Sequence, residues 1–585
     1  MAEQHKPQYK PSYRNVPIKK TEERDNIVVV VAIDFGTTFS GFAYAHITEK
    51  DLSKVVTNDA WPGSQYGFKT HTVLQYDDEQ QVFEWGEPAL MKEPEPRRKK
   101  DKRSKEKRPT AQSDPIELFK LHLSVLKEED KPALPDGMTY RMVITDYLRE
   151  LRKLIKETLI RRWPDVQFPE QVRLIMSLPA EWGPGTPGIL RECAYMAGLI
   201  ADRHTDQLDF TTEPEAAALY CIEIQKQYKI QPGETYLVVD CGGGTVDLTA
   251  RKLLSDNKLD EATVRTGDLC GSTFVDREFL NFLGDVLGHD SIEKLKTKHY
   301  RQMQYLVHRV FCPRIKFPFS GKQEDFRLVE LDIERECAVL KDYVTGEARR
   351  RAEQDDWLIE IDFESVKKMF DPVIDRIIGL IEHQLRSLNT RCSAMFLVGG
   401  FSESKYLVNR VKQTFDARVP TIAVPRSPIA AVVRGAVWYG LNVDYINGRM
   451  LKWTFGIEIK PIFDPKKDPR DKRRDDNRIY KFDKIVERDT LVKINKPFPR
   501  TYYPVKTDQT KLVFRIFYTD KKDAKYPDEP GMKLLGELEV TAEDTENGLN
   551  RPVEFSLRFG NMEVKASARN KKTNKVYKTS FNLVV

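Results

Sequence analysis

Asp240-Cys241-Gly242-Gly243-Gly244-Thr245-Val246-Asp247 is the stretch of sequence that decides the fold, and Asp34-Phe35-Gly36-Thr37-Thr38 is its counterpart far upstream. Each stretch begins with a carboxylate directly after an apolar segment, residues 236–239 and 27–33 respectively, and each turns on glycine. An apolar run that ends in a glycine turn is typical of a strand entering a hairpin. The sequence therefore predicts two matching hairpins that form two halves of one site.

These turns have the composition of a phosphate-binding site. Glycine allows the backbone N–H groups to approach phosphate oxygens closely, and Thr37, Thr38 and Thr245 add hydroxyl donors. Asp34 and Asp240 suit Mg²⁺, which is commonly held by one or two carboxylates together with substrate phosphates. Either turn alone is more simply read as an ordinary tight hairpin. Because acid, glycine and threonine recur after both apolar runs, the pair favours a nucleotide clamp.

The overall composition excludes several classes of protein. The chain has 585 residues, of which 40% are hydrophobic and 31% charged, with a net charge of +6. Such a chain is a soluble globular protein with several domains, and this mild charge predicts no general affinity for nucleic acid. The 7 cysteines include no C-x-x-C pair, so the sequence indicates neither a disulfide framework nor a zinc site. A reducing compartment fits best.

Three segments are predicted to be disordered because they are polar and strongly charged. They are the tail 1–25, the insertion 92–110 and the stretch Asp464–Arg478. The apolar run 27–33 is too short to cross a bilayer, so no membrane partner is expected. A cytoplasmic location is expected, and the basic run near Lys99 keeps a nuclear location as an alternative.

Between these segments, the hydrophobic pattern alternates between helical spacing and short apolar runs. After about Leu441 the pattern changes to a period of two, as in Val553 to Phe559, which predicts a largely antiparallel β region. The predicted helices are Tyr140–Arg162, Ile189–Leu199, Glu213–Ile224 and 366–381, and the predicted strands between them include Gln171–Leu178 and Ala394–Val398.

In these motifs and their order, the chain resembles the 70-kDa heat-shock chaperones, which belong with sugar kinases to the actin-like ATPase group. The resemblance implies an α/β actin-like ATPase fold of two lobes with duplicated ribonuclease-H-like sheets, followed by a C-terminal β-sandwich. The implied boundaries are 26–440 for the nucleotide-binding domain, with lobes of about 26–230 and 231–440, and 450–585 for the sandwich. The segments that carry the resemblance are Asp34–Ser40, Asp240–Asp247, Leu178–Ala180, Glu213–Ala218, Gly267–Phe274 and Val398–Gly400.

The resemblance also implies a role for individual residues. Asp34 and Asp240 would hold a hydrated Mg²⁺, Glu213 and Asp247 would orient the attacking water, and Lys120 would face the phosphates. A surface position on a helix is the alternative for Lys120. Phosphoryl transfer needs mainly positioning and charge neutralisation, so acids, a metal ion and one cation suffice. The implied ATP and ADP contacts are Gly36, Thr37, Thr38, Gly242, Gly243, Gly244, Thr245, Gly271, Lys316, Ser320, Gly399 and Gly400.

The sequence departs from the family pattern at several points. Pro313 replaces the acid that precedes Lys316 and Ser320, and Phe401 and Glu403 replace a small hydroxyl residue and an arginine, so we expect a weaker or altered preference for adenosine. The chain stops at Val585, where the family continues into a helical lid. The connector 441–445 lacks the family's run of leucines.

The predicted function is that of a slow ATPase that couples its nucleotide state to the binding of unfolded or extended polypeptide, in a chaperone-like cycle with co-chaperones as further partners. Two alternatives stay open at this point. The first is a nucleotide-dependent switch or scaffold with little turnover. The second is a small-molecule kinase on the same fold, which would have no use for a C-terminal β region of this kind.

Overall fold

The structure is a computed structural model, and it describes the chain in separate ranges of residues. The predicted tail 1–25, the insertion 92–110 and residues 443–445 of the connector lie outside them. The described residues are 26–49, 51–63, 67–91, 114–124, 126–127, 129, 131–179, 182, 186–203, 205, 207–227, 230–255, 259–442, 448–493, 496–542, 544–559 and 563–582.

The strands fall into several sheets, and their bounds in chain order are as follows. They are β1 (Val29–Phe35), β2 (Phe39–His46), β3 (Val56–Thr57), β4 (Thr70–His71), β5 (Leu74–Tyr76), β6 (Val82–Trp85), β7 (Val172–Leu178), β8 (Leu208–Thr212), β9 (Thr235–Cys241), β10 (Val246–Leu253), β11 (Leu259–Glu261), β12 (Thr266–Asp268), β13 (Val329–Asp332), β14 (Leu358–Ile361), β15 (Cys392–Val398), β16 (Thr421–Ala423), β17 (Gly448–Met450), β18 (Thr454–Ile459), β19 (Lys481–Val486), β20 (Leu491–Lys493), β21 (Pro497–Tyr502), β22 (Lys511–Thr519), β23 (Lys533–Thr541), β24 (Val553–Phe559), β25 (Glu563–Asn570) and β26 (Val576–Asn582).

The helices lie mainly between β6 and β17. Within the described ranges, none of them is at once long enough and apolar enough to cross a membrane. They are α1 (Glu87–Leu90), α2 (Tyr140–Arg162), α3 (Thr186–Met196), α4 (Glu213–Gln227), α5 (Thr273–Leu287), α6 (His289–Lys298), α7 (Tyr300–Tyr305), the π-helical segment Leu306–Lys316, α8 (Ile333–Glu336), α9 (Gly346–Gln354), α10 (Phe363–Arg386), α11 (Lys405–Phe415) and α12 (Ala431–Leu441).

Two six-stranded sheets share the same topology. The first has the order β3-β2-β1-β7-β8 with β4 paired to β2, and the second has the order β11-β10-β9-β15-β16 with β12 paired to β10. In each sheet the opening hairpin is antiparallel and the next two strands are parallel to its first strand. The chain therefore contains the same α/β unit twice, as we predicted from the two matching glycine turns.

The central strand of each six-stranded sheet is buried on both faces. All 7 residues of β1 are buried, and so are all 7 residues of β9. Helices α4 and α12 pack against each other, and α12 contacts strands of the first sheet while α4 contacts strands of both. A Cβ atom added at Gly435 of α12 would overlap the carbonyl oxygen of Ala216 in α4. This close approach fixes the two sheets relative to one another.

The C-terminal part contains two four-stranded antiparallel sheets, β19-β18-β22-β23 and β21-β24-β25-β26. Residues of both sheets contribute to one hydrophobic core, in which Phe455, Phe514 and Phe555 are buried. The alternation of Val553, Phe555 and Leu557 with polar neighbours places one face of β24 in this core. The predicted antiparallel β region is confirmed.

Several local predictions are confirmed with small shifts in their bounds. Helix α2 spans the predicted Tyr140–Arg162, and the strand predicted over Gln171–Leu178 is β7. The prediction of disorder for Asp464–Arg478 is wrong, because this stretch forms an ordered loop. Phe463 N–H donates to Asn477 O at 2.9 Å, and the Arg474 guanidinium lies 4.6 Å from the Tyr480 ring centroid. Contacts with aromatic rings therefore order a segment that its charge alone would leave mobile.

Candidate functional site

The two glycine turns lie directly against each other. A Cβ atom added at Gly243 would come well under 3.0 Å from Thr38 Oγ1, and one added at Gly244 would lie 3.9 Å from Thr37 Cβ. At Gly243 a side chain would fit only if the Thr38 hydroxyl moved, whereas at Gly244 a Cβ atom would make an ordinary van der Waals contact. Within the described part of the chain, the N–H groups of Gly243 and Gly244 donate to no backbone carbonyl, so they are available to a ligand.

The second turn is held by the segment that leads into α5. The N–H groups of Gly271, Ser272 and Thr273 donate to the carbonyl oxygens of Gly244, Gly242 and Gly243 at 3.2, 3.1 and 2.9 Å. A Cβ atom at Gly271 would lie 2.5 Å from the carbonyl carbon of Gly243, so this position admits only glycine. These bonds fix the turn in one conformation.

A second glycine contact shapes the surroundings of Asp240. Gly399 follows β15, which pairs with β9, and has a φ of +82°. A Cβ atom here would lie 2.7 Å from the Cys241 carbonyl carbon and still closer to Asp240 Oδ1. Gly400 continues the turn, and a Cβ atom added there would lie 3.6 Å from the Ile429 side chain. The loop after β15 therefore covers the end of β9.

The Asp34 carboxylate is buried and bound on both oxygens. Lys69 Nζ donates to Oδ2 at 2.5 Å, and Ser177 Oγ donates to Oδ1 at 2.9 Å. Burial alone would raise the pKa of Asp34, but the ion pair with Lys69 outweighs it, with a smaller contribution from Lys120, and the pKa is lowered. Asp34 is therefore ionised at neutral pH.

Lys120 lies in the same cleft, on a 3₁₀ turn that spans Phe119–Leu123. It is fully buried, and its Nζ donates to Glu213 Oε1 at 3.1 Å and lies 4.5 Å from the Trp182 ring centroid. Burial raises the pKa of Glu213 more than the charge of Lys120 lowers it. The alternative of a surface position for Lys120 is excluded.

Asp240 has less cationic compensation than Asp34, because Lys69 is bound to Asp34 and acts on Asp240 only through its charge. Burial, the charge of Glu213 and the charge of Asp34 raise its pKa to about 7, while Lys69 opposes this shift. Asp247 is also buried and lies directly opposite Asp240 in the β9–β10 ladder. The structure therefore brings the four predicted acids together: the charges of Asp34, Glu213 and Asp240 act on one another, and Asp247 adjoins Asp240 through the strand pairing.

Lys69 is a charged residue of this cleft that the sequence analysis missed. It precedes β4, which pairs with the start of β2, so the backbone brings it beside the first glycine turn. Besides Asp34, the charges of Asp240 and Glu213 raise its pKa. No motif surrounds Lys69 in the sequence, and only the pairing of β4 with β2 brings it to the site.

The residues Lys316 and Ser320, predicted to contact adenosine, are hydrogen-bonded to partners outside this group of charges. Lys316 is buried, with Nζ donating to Ser272 O at 2.8 Å and to Asp276 Oδ1 at 2.7 Å. Ser320 Oγ donates to Asp325 Oδ2 at 3.0 Å and lines a polar cavity of about 350 Å³. Phe401 is buried with its ring centroid 6.0 Å from Lys316 Nζ, and Glu403 is exposed.

A pair of histidines borders the first glycine turn. The rings of His71 and His308 are 4.8 Å apart, and His71 also contacts Phe39 at 4.5 Å. Among the described residues, neither ring nitrogen of His71 has a hydrogen-bond partner. Burial lowers the pKa of His71 well below its usual range and that of His308 to about 4. Both rings are therefore neutral at physiological pH.

The donor set fits a hydrated divalent cation rather than a directly coordinated one. In the described ranges, no three His, Cys, Asp or Glu side chains converge closely enough to hold a metal ion. Mg²⁺ usually keeps several of its waters, and carboxylates such as Asp34 and Asp240 can accept hydrogen bonds from them. The raised pKa of Asp240 indicates a site that gains from an added positive charge.

The chain is similar over nearly its whole length to proteins with heat-shock names. It is 25% identical to human heat shock 70 kDa protein 12B over 661 aligned positions, which cover 98% of the chain and 94% of that protein. It is 26% identical to heat shock 70 kDa protein 12A of human and of mouse, with 96% of the chain and 92% of each protein covered. No protein-family model matches the chain. The similarity confirms the resemblance to the 70-kDa heat-shock proteins, as a divergent relative.

Proposed function

Starting from this distant relationship to the 70-kDa heat-shock proteins, we propose that the chain is a chaperone-like, actin-like ATPase. Its two lobes would bind ATP or ADP with Mg²⁺ between them, and hydrolysis would be slow. Asp34 and Asp240 would hold the hydrated Mg²⁺, which would neutralise phosphate charge. Lys120 would face the phosphates, and Glu213 and Asp247 would orient the attacking water.

One observation carries this proposal: the two glycine turns touch, and buried acids surround the contact. The contact between Gly243 and Thr38 brings free N–H groups and hydroxyl groups to one place. Backbone N–H groups of this kind form anion-binding concavities. Asp34 and Asp240, at the ends of β1 and β9, contribute the negative charge that a bound cation requires.

The contacts of Thr212, next to Glu213, support coupling between this cleft and β17, the strand that leads into the C-terminal sheets. The neighbouring Thr212 accepts a hydrogen bond from Arg265 at 2.8 Å, and Arg265 forms a buried ion pair with Glu261. Glu261 Oε2 in turn accepts from the Met450 N–H at 2.8 Å, in the strand that precedes β18. These polar contacts form a continuous series, through which a structural shift at the cleft can reach the C-terminal part of the chain.

We further propose that the two C-terminal sheets form a sandwich that binds extended polypeptide. Strand β21, at the edge of its sheet, exposes Pro497, Pro499 and Arg500, and β23, at the edge of the other sheet, exposes Leu534. An edge strand can bind an extended segment through main-chain hydrogen bonds. Co-chaperones would act on the nucleotide-binding part.

Phosphate release from ATP tests the proposal, measured with Mg²⁺ in the presence and absence of an unfolded polypeptide. Slow release that rises with the polypeptide is expected, and Asp247→Asn should abolish it because the water-orienting carboxylate is lost. Lys294→Gln is the matched control, since it breaks an exposed Lys–Asp ion pair away from the cleft. Absence of any ATP binding by calorimetry would refute the proposal.

The alternatives give different results in the same assay. ATP binding without phosphate release would favour a nucleotide-dependent switch. ATP consumption that requires an added sugar, with a phosphorylated sugar as product, would favour a small-molecule kinase. The two C-terminal sheets favour a chaperone-like function over a kinase function, because a small-molecule kinase of this fold has no need of them.

A further inference from the structure

Lys69 occupies a position that a cation would take in the proposed nucleotide site. Its Nζ lies 2.5 Å from Asp34 Oδ2, and Asp34 is one of the two carboxylates proposed to hold the hydrated metal ion. The Lys69 side chain is 14% exposed and that of Asp34 4% exposed. The ion pair is thus largely shielded from water, where charge interactions are stronger than at the surface.

The backbone around Lys69 leads its side chain to Asp34. In the β1–β2 ladder, Gly41 is the direct partner of Asp34. A Cβ atom added at Gly41 would lie 3.0 Å from Lys69 Cγ and 2.8 Å from the Phe68 carbonyl oxygen. The stem of Lys69 therefore crosses β2 where glycine leaves room, and it reaches the carboxylate on the neighbouring strand.

Lys69 and Lys120 are bound to different carboxylates of the cleft. Lys120 is fully buried and donates to Glu213, and its charge adds only a smaller contribution at Asp34. Lys69 is bound to a proposed metal-binding carboxylate, and its charge also acts on Asp240. A divalent cation that approaches Asp34 therefore meets an ammonium group that is already bound there.

We propose that Lys69 competes with a divalent cation for the Asp34 carboxylate and thereby sets how much metal ion the site needs to bind a phosphate-bearing ligand. When the metal ion is scarce, the Lys69 ammonium keeps Asp34 neutralised and stays in the cleft for phosphate oxygens. When the metal ion is abundant, it displaces Lys69 from Asp34. This inference rests on the proposed function and adds a regulator of its metal dependence.

Binding of Mn²⁺, a paramagnetic substitute for Mg²⁺, tests the competition without reference to turnover. The affinity of the full chain for Mn²⁺ is measured by electron paramagnetic resonance for wild type, Lys69→Gln and Lys69→Arg. We expect Lys69→Gln to bind Mn²⁺ about tenfold more tightly than wild type, because removal of a partly buried ion-pair partner frees the carboxylate. Lys69→Arg, which keeps the charge, should remain close to wild type.

Lys294→Gln is the matched control, since Lys294 also lies 2.5 Å from a carboxylate, that of Asp290, but on an exposed helix surface. It should leave the Mn²⁺ affinity unchanged. Equal Mn²⁺ affinities for wild type and Lys69→Gln would overturn the inference. ATP calorimetry on the same samples separates the two hypotheses, because absent ATP binding counts against the proposed function and equal Mn²⁺ affinities count only against the role of Lys69.

A second measurement needs no variant, and it applies even if Lys69→Gln fails to fold. Acetylation of wild-type lysines is followed by mass spectrometry at increasing Mn²⁺ concentration. Displacement from Asp34 should raise the labelling of Lys69 about threefold or more, as expected for an amine released from an ion pair. Labelling of Lys120, which stays buried against Glu213, serves as the internal reference. Labelling of Lys69 that is unchanged at millimolar Mn²⁺ would contradict competition.

Discussion

Replacement of Asp240 by asparagine should stabilise the ligand-free protein, although it removes a residue proposed to be essential. Asp240 is buried at the end of β9, and its neighbours Glu213 and Asp34 are also acids. Its pKa is raised from the usual 3.8 to about 7. The folded state therefore holds this proton more tightly than the unfolded state does, and ionisation in the fold costs free energy.

The sign and the size of the effect follow from these two pKa values. Below pH 3.8 the carboxyl group is protonated in both states and contributes no penalty; between 3.8 and about 7 the penalty grows, and above 7 it is complete. A shift of about three pKa units corresponds to roughly 4 kcal/mol at pH 8, and to about 1 kcal/mol at pH 4.5. These are upper limits, because water that enters the cleft relieves part of the penalty.

Thermal unfolding at several pH values, with a chelator and without nucleotide, measures this directly. The melting temperature of Asp240→Asn should exceed that of wild type at pH 8, and the difference should shrink as the pH falls toward 4.5. An amide that lacks a full set of partners lowers stability by about 1 kcal/mol, but it does so at every pH. The pH dependence therefore isolates the charge.

Asp290→Asn is the control, because its side chain is 80% exposed and its charge is already solvated. It should shift the melting temperature little and equally at each pH. A destabilised Asp240→Asn protein at pH 8, or a gain of the same size at pH 4.5 and pH 8, would refute the argument that Asp240 is held at an electrostatic cost.

Three further predictions concern other parts of the site. Lys120→Met should lower the rate of phosphate release about 100-fold, because Glu213 and the phosphates lose their buried cation, and a rate within a few-fold of wild type would contradict this. Gly271→Ala should weaken ATP binding and lower the melting temperature, because its Cβ would overlap the second glycine turn. The control Gly379→Ala, whose Cβ would have no atom within 4 Å, should leave stability unchanged or raise it. If both variants changed ATP binding and melting temperature equally, the second glycine turn would have no special role. Wild type should lose stability as the pH falls from 6.5 toward 4, because the unfolded state binds a proton at His308 that the folded state does not. In His308→Phe this loss of unfolding free energy should be smaller by about 3 kcal/mol, and identical pH profiles for the two proteins would refute the prediction.

The sequence correctly predicted the structural features that depend on a short stretch of residues. The glycine turns, α2 and the alternating strands near Val553 each depend on a pattern within a short window. The duplicated α/β unit followed because the same pattern, an apolar run before an acid and glycine, occurs after Ile27 and again after Tyr236. Such patterns report backbone conformation directly, so no knowledge of distant contacts was needed.

Features set by distant contacts were missed. Lys69 reaches Asp34 through the pairing of β4 with β2, and 35 positions of sequence separate the two residues. His71 and His308 meet although no motif links them. In each case the deciding interaction lies in tertiary packing, which hydrophobic periodicity does not encode.

The distribution of charge in the cleft determines where an incoming cation gains most. Lys69 already compensates Asp34, and Lys120 already compensates part of the charge of Glu213. Asp240 instead has its pKa raised by burial and by these two acids and has no bound cation of its own, so a divalent cation relieves an electrostatic cost there. Asp34 becomes a second contact only after Lys69 has moved. Loss of Asp240 should therefore abolish metal binding in wild type, whereas in a Lys69→Gln background Asp34 should retain a weaker metal site.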